Sequence, residues 1–434
     1  MKFLRLLLLL ITSVVLAAPA LQHWKPMVKE KDLNGIYRTA KPPDLKSFSW
    51  GSWFRGSFQE KIVPEMNDHI GFRKTLIRIR NQADWSLFKT SNTEGFIAGK
   101  DGFLYEEDYI FEYTGTYFIG ERALDLKARR LKAVQEALGT RGICLLPVIE
   151  PGKASFYPEH IPARYHPECR SMSNLEYLQQ RMDRYGVRYL DLNRWFLLAK
   201  DTSRYKLFPE YGMHWSIYGA TLAMDTLTKY LNGACGFSLP GFTVDKIVIS
   251  DSLQGTDGDI EVMLNLLCPL PPVTAAYPTV RFDKGGTTSA PRVLGVGDSY
   301  FNTIYNLFAP HQFRSTEFWY YNSRYYSYDS LNNKPVDHSD LPGKLARFNL
   351  ILLTFSEINA HCGFWNFVDQ AWVAFCGTGP DSEVYGYENR IRNEREWFRS
   401  MVQKADAGGL SLESAIHRDA VYMVESDRSL RQKD

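Results

Sequence analysis

Three short runs of this chain, "ICLLPVIEP" (143–151), "RVLGVG" (292–297) and "FNLILLTF" (348–355), are apolar at nearly every position. A strand with one wet face alternates apolar and polar residues. A strand without that alternation is buried on both faces, which is the habit of a parallel sheet covered by helices. Amphipathic segments separate the runs. "ERALDLKARRLKAVQEALGTRG" repeats Leu124, Leu131 and Leu138 on one face and stops at Gly139 or Gly142. "SNLEYLQQRMDRYG" is a second helix with Ser173 as a candidate N-cap, "VRYLDL" a further strand, and "SIYGATLAMDTLTKYLNG" a third helix. "YFNTIYNLF" follows "RVLGVG" as another helix. Helix and strand in alternation predict an α/β fold with a mostly parallel sheet.

The flanks read differently. Lys2 and Arg5 precede an apolar run from Leu6 to Ala18, followed by "VLA" and "APA". That is a signal peptide pattern over residues 1–23, cleaved or kept as an anchor, and either way it directs the rest of the chain out of the cytoplasm. Residues 24–64 are polar and proline-containing and predict an extended lead-in. From Glu65 "NDHIGFRKTLIRIRNQADWSLF" spaces Phe72, Leu76, Ile79 and Trp85 as a helix would, and "GFIAGKDGFLYEED" turns at Lys100-Asp101-Gly102. Residues 65–380 form the main domain. Residues 381–434 predict two packing helices separated by Gly408-Gly409, with Ser411 or Ser414 capping the second.

Composition narrows the chemistry. With 51 basic against 49 acidic residues and no long basic block, nucleic acid is excluded as a partner. Six cysteines (Cys144, Cys169, Cys235, Cys268, Cys362, Cys376) suit an oxidising compartment, and their pairing is open. His166 with Cys169 and His361 with Cys362 are the nearest approaches to metal ligands, and neither has a ligand cluster around it, so no metal and no cofactor is expected.

"VLGVGDSYFNTIYNLF" (293–308) sets Ser299 between a strand and a helix. In parallel sheets ligands bind beyond the carboxyl ends of the strands, and a helix N-terminus there favours a developing negative charge. Ser299 is therefore either a nucleophile or simply a helix cap. A serine nucleophile needs a base. Of nine histidines, His214 in "LFPEYGMHWSIYGA" sits in a loop directly before a helix capped by Ser216, at another such edge.

At these residues the chain resembles a known family. "GVGDSY" is similar to the Gly-Asp-Ser block of SGNH-type hydrolases. "HWSIYGA" resembles the His-Trp segment of the AlgJ/AlgX branch, exported polysaccharide O-acetyltransferases first known from alginate. "GFRKTLIRIRNQADWSLF", "FIAGKDGFLYEE", "VIEPGKASFYPEHIP" and "TFSEIN" resemble the same branch, in the same order. The resemblance implies an SGNH hydrolase-like three-layer domain with helical N- and C-terminal additions. In it Ser299 carries acetyl to a sugar hydroxyl and His214 is the general base. It implies a polysaccharide acceptor, a membrane-bound O-acyltransferase as acetyl supplier, and a periplasmic or other extracytoplasmic location. The family pattern is Asp-X-His-Trp, and here Gly212 stands at the aspartate position. Candidates for the third acid are Glu210 and Asp298, then Asp191 and Glu357. Oxyanion donors are the backbone of Ser299 or Tyr300 and the side chain of Asn359. Tyr300, Tyr305, Trp319, Tyr320, Tyr321, Tyr325, Tyr326 and Tyr328 are aromatic surfaces for a sugar or packing residues. Two alternatives use the same fold: an acetyl esterase, in which water accepts the acyl group, and an inactive glycan-binding scaffold, for which Gly212 speaks.

Overall fold

A computed structural model describes residues 2–35, 48–165, 170–283, 290–326, 334–376 and 383–431. They divide into two units, residues 1–98 with 259–272, and residues 99–258 with 273–434.

The first unit begins with the helix Lys2–Trp24, whose leucines are exposed and whose stretch Phe3–Trp24 is apolar and long enough to cross a membrane. The expected extended lead-in is instead partly helical. Trp50–Phe54 is started by a Ser49–Ser52 capping box, and Gln59–His69 follows. The helix expected from Glu65 is broken in two, because Phe72 adopts a left-handed φ of 61° before Arg73–Phe88. Its expected apolar stripe is not what it buries. Leu76 and Ile79 remain 45% and 48% exposed, while Arg78 and Asn81 are buried. Arg78 donates to the carbonyls of Lys31 and Asp32, and Asn81 to that of Leu264, at 2.7–2.9 Å. Backbone acceptors outweigh apolar spacing there, since buried carbonyls must be satisfied. Strand β1 (Phe96–Ala98) closes this unit's first segment.

The second unit carries β2 (Leu104–Glu106), β3 (Cys144–Glu150), β4 (Leu190–Asp191), β5 (Phe242–Ser250), β6 (Ala275–Phe282), β7 (Arg292–Gly297), β8 (Ser315–Tyr320), β9 (Arg324–Tyr325) and β10 (Leu350–Ser356). Lys100–Gly102 forms the expected turn, closed by the Gly99 N–H on the Phe103 carbonyl at 2.7 Å. The main sheet has six strands in the order β4-β3-β10-β7-β8-β9, parallel except for β9. β5 and β6 pair as an antiparallel hairpin.

The apolar runs behave as their composition demands. All seven residues of β10 are buried. Leu145, Ile149, Leu294, Val296, Ile351 and Leu353 join one core cluster with Leu124, Leu131 and Val134 of the helix Glu121–Gly139 and Leu178 of Asn174–Tyr185. On the other face Gly295 leaves room for Phe301, whose ring lies 2.2 Å from where a Cβ would be. The C-terminal region is three helices, where two were expected: Glu383–Asn393, Arg395–Gly408 and Leu412–Arg431. Glu394, with extended backbone (φ −96°, ψ 100°), interrupts the first. Ile391, Phe398, Met401 and Ile416 belong to the same core cluster, so these helices are part of this unit and not an appendage. Cys144, Cys235, Cys268, Cys362 and Cys376 are free thiols, while His166 and Cys169 lie outside the described residues.

Leu352 is wholly buried at the centre of β10, so Leu352→Ala should lower unfolding free energy by about 2–5 kcal/mol in urea titrations. Glu112, which accepts hydrogen bonds from Asn174 Nδ2 and the Leu175 N–H, is pushed up by burial from 4.5 to about 8. The folded protein therefore keeps a proton that the unfolded chain releases, and this group's contribution to stability is lost as pH rises through that window. Glu112→Gln mimics the protonated form. Its urea midpoint relative to wild type should rise between about pH 5 and about pH 8.

Candidate active site

Ser299 lies just past the end of β7, in the turn before the helix Phe301–Leu307, and is partly exposed. His214 lies before the helix Ile217–Ala234 and is 7% exposed. The fold brings them together, with His214 Nε2 2.8 Å from Ser299 Oγ. An imidazole nitrogen at that distance can accept the hydroxyl proton.

Each side of the pair is held from behind. On the serine side Asp298 is 1% exposed. Its Oδ1 accepts the Tyr300 N–H at 3.0 Å, and its Oδ2 accepts the Ser356 N–H at 2.9 Å. The Ser356 hydroxyl and Asn359 Nδ2 also donate to Oδ2, each at 2.7 Å. Asp298 thus fastens the serine turn to the end of β10. Beneath it Glu150 ends β3 in register with Ser356, fully buried. Burial, and then the Asp298 charge, push the Glu150 carboxyl well above its ordinary value.

On the histidine side, Ser216 Oγ accepts the Gly219 N–H at 2.9 Å and caps the helix. Buried Lys153 donates from Nζ to the carbonyls of Glu210 and Gly212 at 2.8 and 2.7 Å. Trp215, wholly buried, packs on Phe196 and Tyr300. Tyr300 joins the two loops: its hydroxyl donates to the Met213 carbonyl at 2.9 Å and its ring lies 4.8 Å from the His214 ring.

The other expected residues are placed elsewhere. Glu210 is ion-paired with Lys206. Asp298 serves the serine turn. Asp191 caps the helix Leu192–Ala199 and accepts from Gln179. Glu357 accepts from Ser155, and burial pushes it up to about 7. Two of the three expected oxyanion donors bond within the turn: the Tyr300 N–H to Asp298, and Asn359 Nδ2 to Asp298 and Ser356. Both build the turn, which is why their spacing after a strand looked functional. Of the aromatic residues, Trp319 is wholly buried and is packing. Tyr305, Tyr320, Tyr321, Tyr325 and Tyr326 are half-buried, and Tyr328 lies outside the described residues. Tyr321, with its N–H on the Gly297 carbonyl at 2.8 Å, holds a left-handed φ of 49°. Strain of this kind in a bulky residue gathers at functional edges.

Three further charged residues lie near the site. Glu106, at the end of β2, is buried, and its carboxyl is pushed up by burial against the pull of Arg395 and, more weakly, of His214. Arg395 ion-pairs with both Glu106 and Asp108. The only local signal was Glu106 directly after an apolar strand; its partner lies far along the chain. The third is Asp257, in "QGTDG", wholly buried. A Cβ at Gly212 would lie 2.3 Å from the Thr256 carbonyl oxygen and 3.0 Å from the Asp257 carbonyl carbon. Among the described residues no three His, Cys, Asp or Glu gather as a metal ion would require.

Residues 96–310 match the family described as SGNH hydrolase-like domain, acetyltransferase AlgX. The structure is similar to the O-acetyltransferase domain of Pseudomonas putida AlgJ at 19% identity, covering 61% of this chain and 92% of that one, with a TM-score of 0.41. It is similar to Bacillus cereus PatB1 at 11% identity, covering 60% and 95%, with a TM-score of 0.40. Pseudomonas aeruginosa AlgX gives 15% identity, 68% and 69% coverage, and a TM-score of 0.41. No curated protein sequence matches the chain.

Gly212→Asp, which writes the family aspartate back, should destabilise the protein. The new side chain meets a backbone carbonyl that cannot swing aside, and overpacking of this sort costs about 1–3 kcal/mol. Thermal melts of the variant should show a lower midpoint, with no gain in esterase rate.

Proposed function

We propose that this chain, whose residues 96–310 are an SGNH hydrolase-like domain of the AlgX acetyltransferase family, is an O-acetyltransferase that passes acetyl through Ser299 to hydroxyls of a polysaccharide outside the cytoplasm. The observation that carries this reading is the 2.8 Å contact between His214 Nε2 and Ser299 Oγ, inside the matched segment.

In the first half-reaction His214 Nε2 takes the Ser299 proton as Oγ attacks the acetyl carbonyl. The tetrahedral intermediate expels the donor's alcohol, to which the imidazolium returns the proton. In the second half a sugar hydroxyl loses its proton to His214 and attacks the acetyl-serine ester, and Ser299 leaves with the proton restored. The half-buried Tyr320, Tyr321 and Tyr326 beside the serine turn support a stacking surface for a sugar ring. The exposed apolar helix Lys2–Trp24 supports export, as a signal or an anchor. A membrane-bound acyltransferase as acetyl supplier fits an acceptor side outside the cytoplasm, where acetyl thioesters of the cytoplasm are out of reach.

The full chain in detergent, given p-nitrophenyl acetate, should acquire one acetyl on Ser299 by peptide mass spectrometry. Ser299→Ala should abolish it, and His214→Ala should slow acylation by roughly 10³-fold or more. Transfer of that acetyl to an added oligosaccharide separates a transferase from an esterase. An unlabelled Ser299, with hydrolysis unchanged in both variants, would overturn the reading.

A further inference from the structure

We infer that Asp257 is the positioning acid of the site, a carboxylate from the loop Gln254–Gly258 that replaces the aspartate missing at Gly212 and orients the His214 imidazole. This inference rests on the proposed Ser299–His214 chemistry.

Three observations lead there. The first is space. Gly212 precedes His214 by two residues, and the volume that a side chain at 212 would fill is already taken by the Thr256 carbonyl and the Asp257 backbone. The loop thus lies against the histidine segment where the family's acid would stand. The turn is fixed, with the Asp257 N–H donating to the Gln254 carbonyl at 3.1 Å and Gly255 at a left-handed φ of 56°. The Gln254 N–H in turn donates to the Tyr277 hydroxyl on β6 at 2.8 Å.

The second is burial. Asp257 has no exposed surface. A carboxylate removed from water needs donors, because an uncompensated buried charge is far more costly than a buried hydrogen bond. Tyr277 is one neighbour: burial first, and then the Asp257 charge, push its phenol up to about 12. The second donor we assign to it is the Nδ1–H of His214, two residues from Gly212, whose backbone packs against this loop.

The third is elimination. One oxygen of Glu210 serves Lys206 and one of Glu357 serves Ser155, while both oxygens of Asp298 serve the serine turn and those of Asp191 a helix cap and Gln179. Glu106, an acid whose charge reaches His214, is ion-paired with Arg395. With the Asp257 carboxylate accepting from Nδ1–H, the tautomer is fixed with its lone pair on Nε2, facing Ser299 Oγ. The carboxylate stays ionised throughout and steadies the imidazolium that forms.

The test compares Asp257→Asn, Glu106→Gln and wild type, full chain in detergent, with p-nitrophenyl acetate. Asp257→Asn should lower kcat by roughly 10²–10⁴-fold with KM little changed, as loss of the tautomer-setting acid does. Its acidic kcat/KM limb should move to lower pH, because an imidazole without its carboxylate is less basic. Proton spectra should show a far-downfield imidazole Nδ1–H in wild type, absent from His214→Ala and from Asp257→Asn. That signal is read without turnover, so it stands even if Ser299→Ala proves fully active and the transferase reading falls. If Asp257→Asn fails to fold, Asp257→Glu keeps the charge and should show a smaller loss with the limb nearly in place. An unshifted limb and retained downfield proton in Asp257→Asn, with both altered in Glu106→Gln, would overturn the proposal and name Glu106.

Discussion

The central constraint in this protein is the insertion of β10 between β3 and β7. All three are parallel neighbours, and every residue of β10 is buried, so backbone groups there have only each other as partners. Parallel pairing aligns the carboxyl ends of the three strands at one edge, and that edge is the first place where the polypeptide can turn polar. Glu150, Asp298 and Ser356 stand there as a buried network, and Ser299 is held just beyond it. The nucleophile candidate owes its position to Asp298, whose hydrogen bonds run to Tyr300, Ser356 and Asn359.

That division of labour explains what could be read beforehand. The α/β class and the strands β3, β7 and β10 were legible because full burial leaves a compositional trace. So was the meeting of Ser299 with His214, through the resemblance of "GVGDSY" and "HWSIYGA" to motifs of one family. The roles of Asp298, Tyr300 and Asn359 were not legible, because a residue that builds a turn and one that faces a ligand share the same spacing. Only coordinates separate them. Arg395 and Glu106 were invisible for a different reason: nearly three hundred residues lie between them, and neither stands in a local pattern.

In the helix Arg73–Phe88 backbone demand prevails over side-chain periodicity. Arg78 and Asn81 are buried because carbonyls of Lys31, Asp32 and Leu264 need donors, while Leu76 and Ile79 stay outside. The C-terminal helices divide at Glu394. The helix that starts there sends Arg395 and Arg399 to Asp108, tying the last part of the chain to the strand end beside the histidine. A terminal region that looked like packing thereby reaches the electrostatics of the site.

Gly297 carries a lesson for comparing relatives. A Cβ at that position would lie 2.1 Å from Thr354 Oγ1, across from the neighbouring strand. The two positions therefore share one small volume just below the serine turn. Any homologue that enlarges one of them must shrink the other, so this pair should drift together through evolution, and alanine at 297 should become tolerable only where 354 has lost its branch.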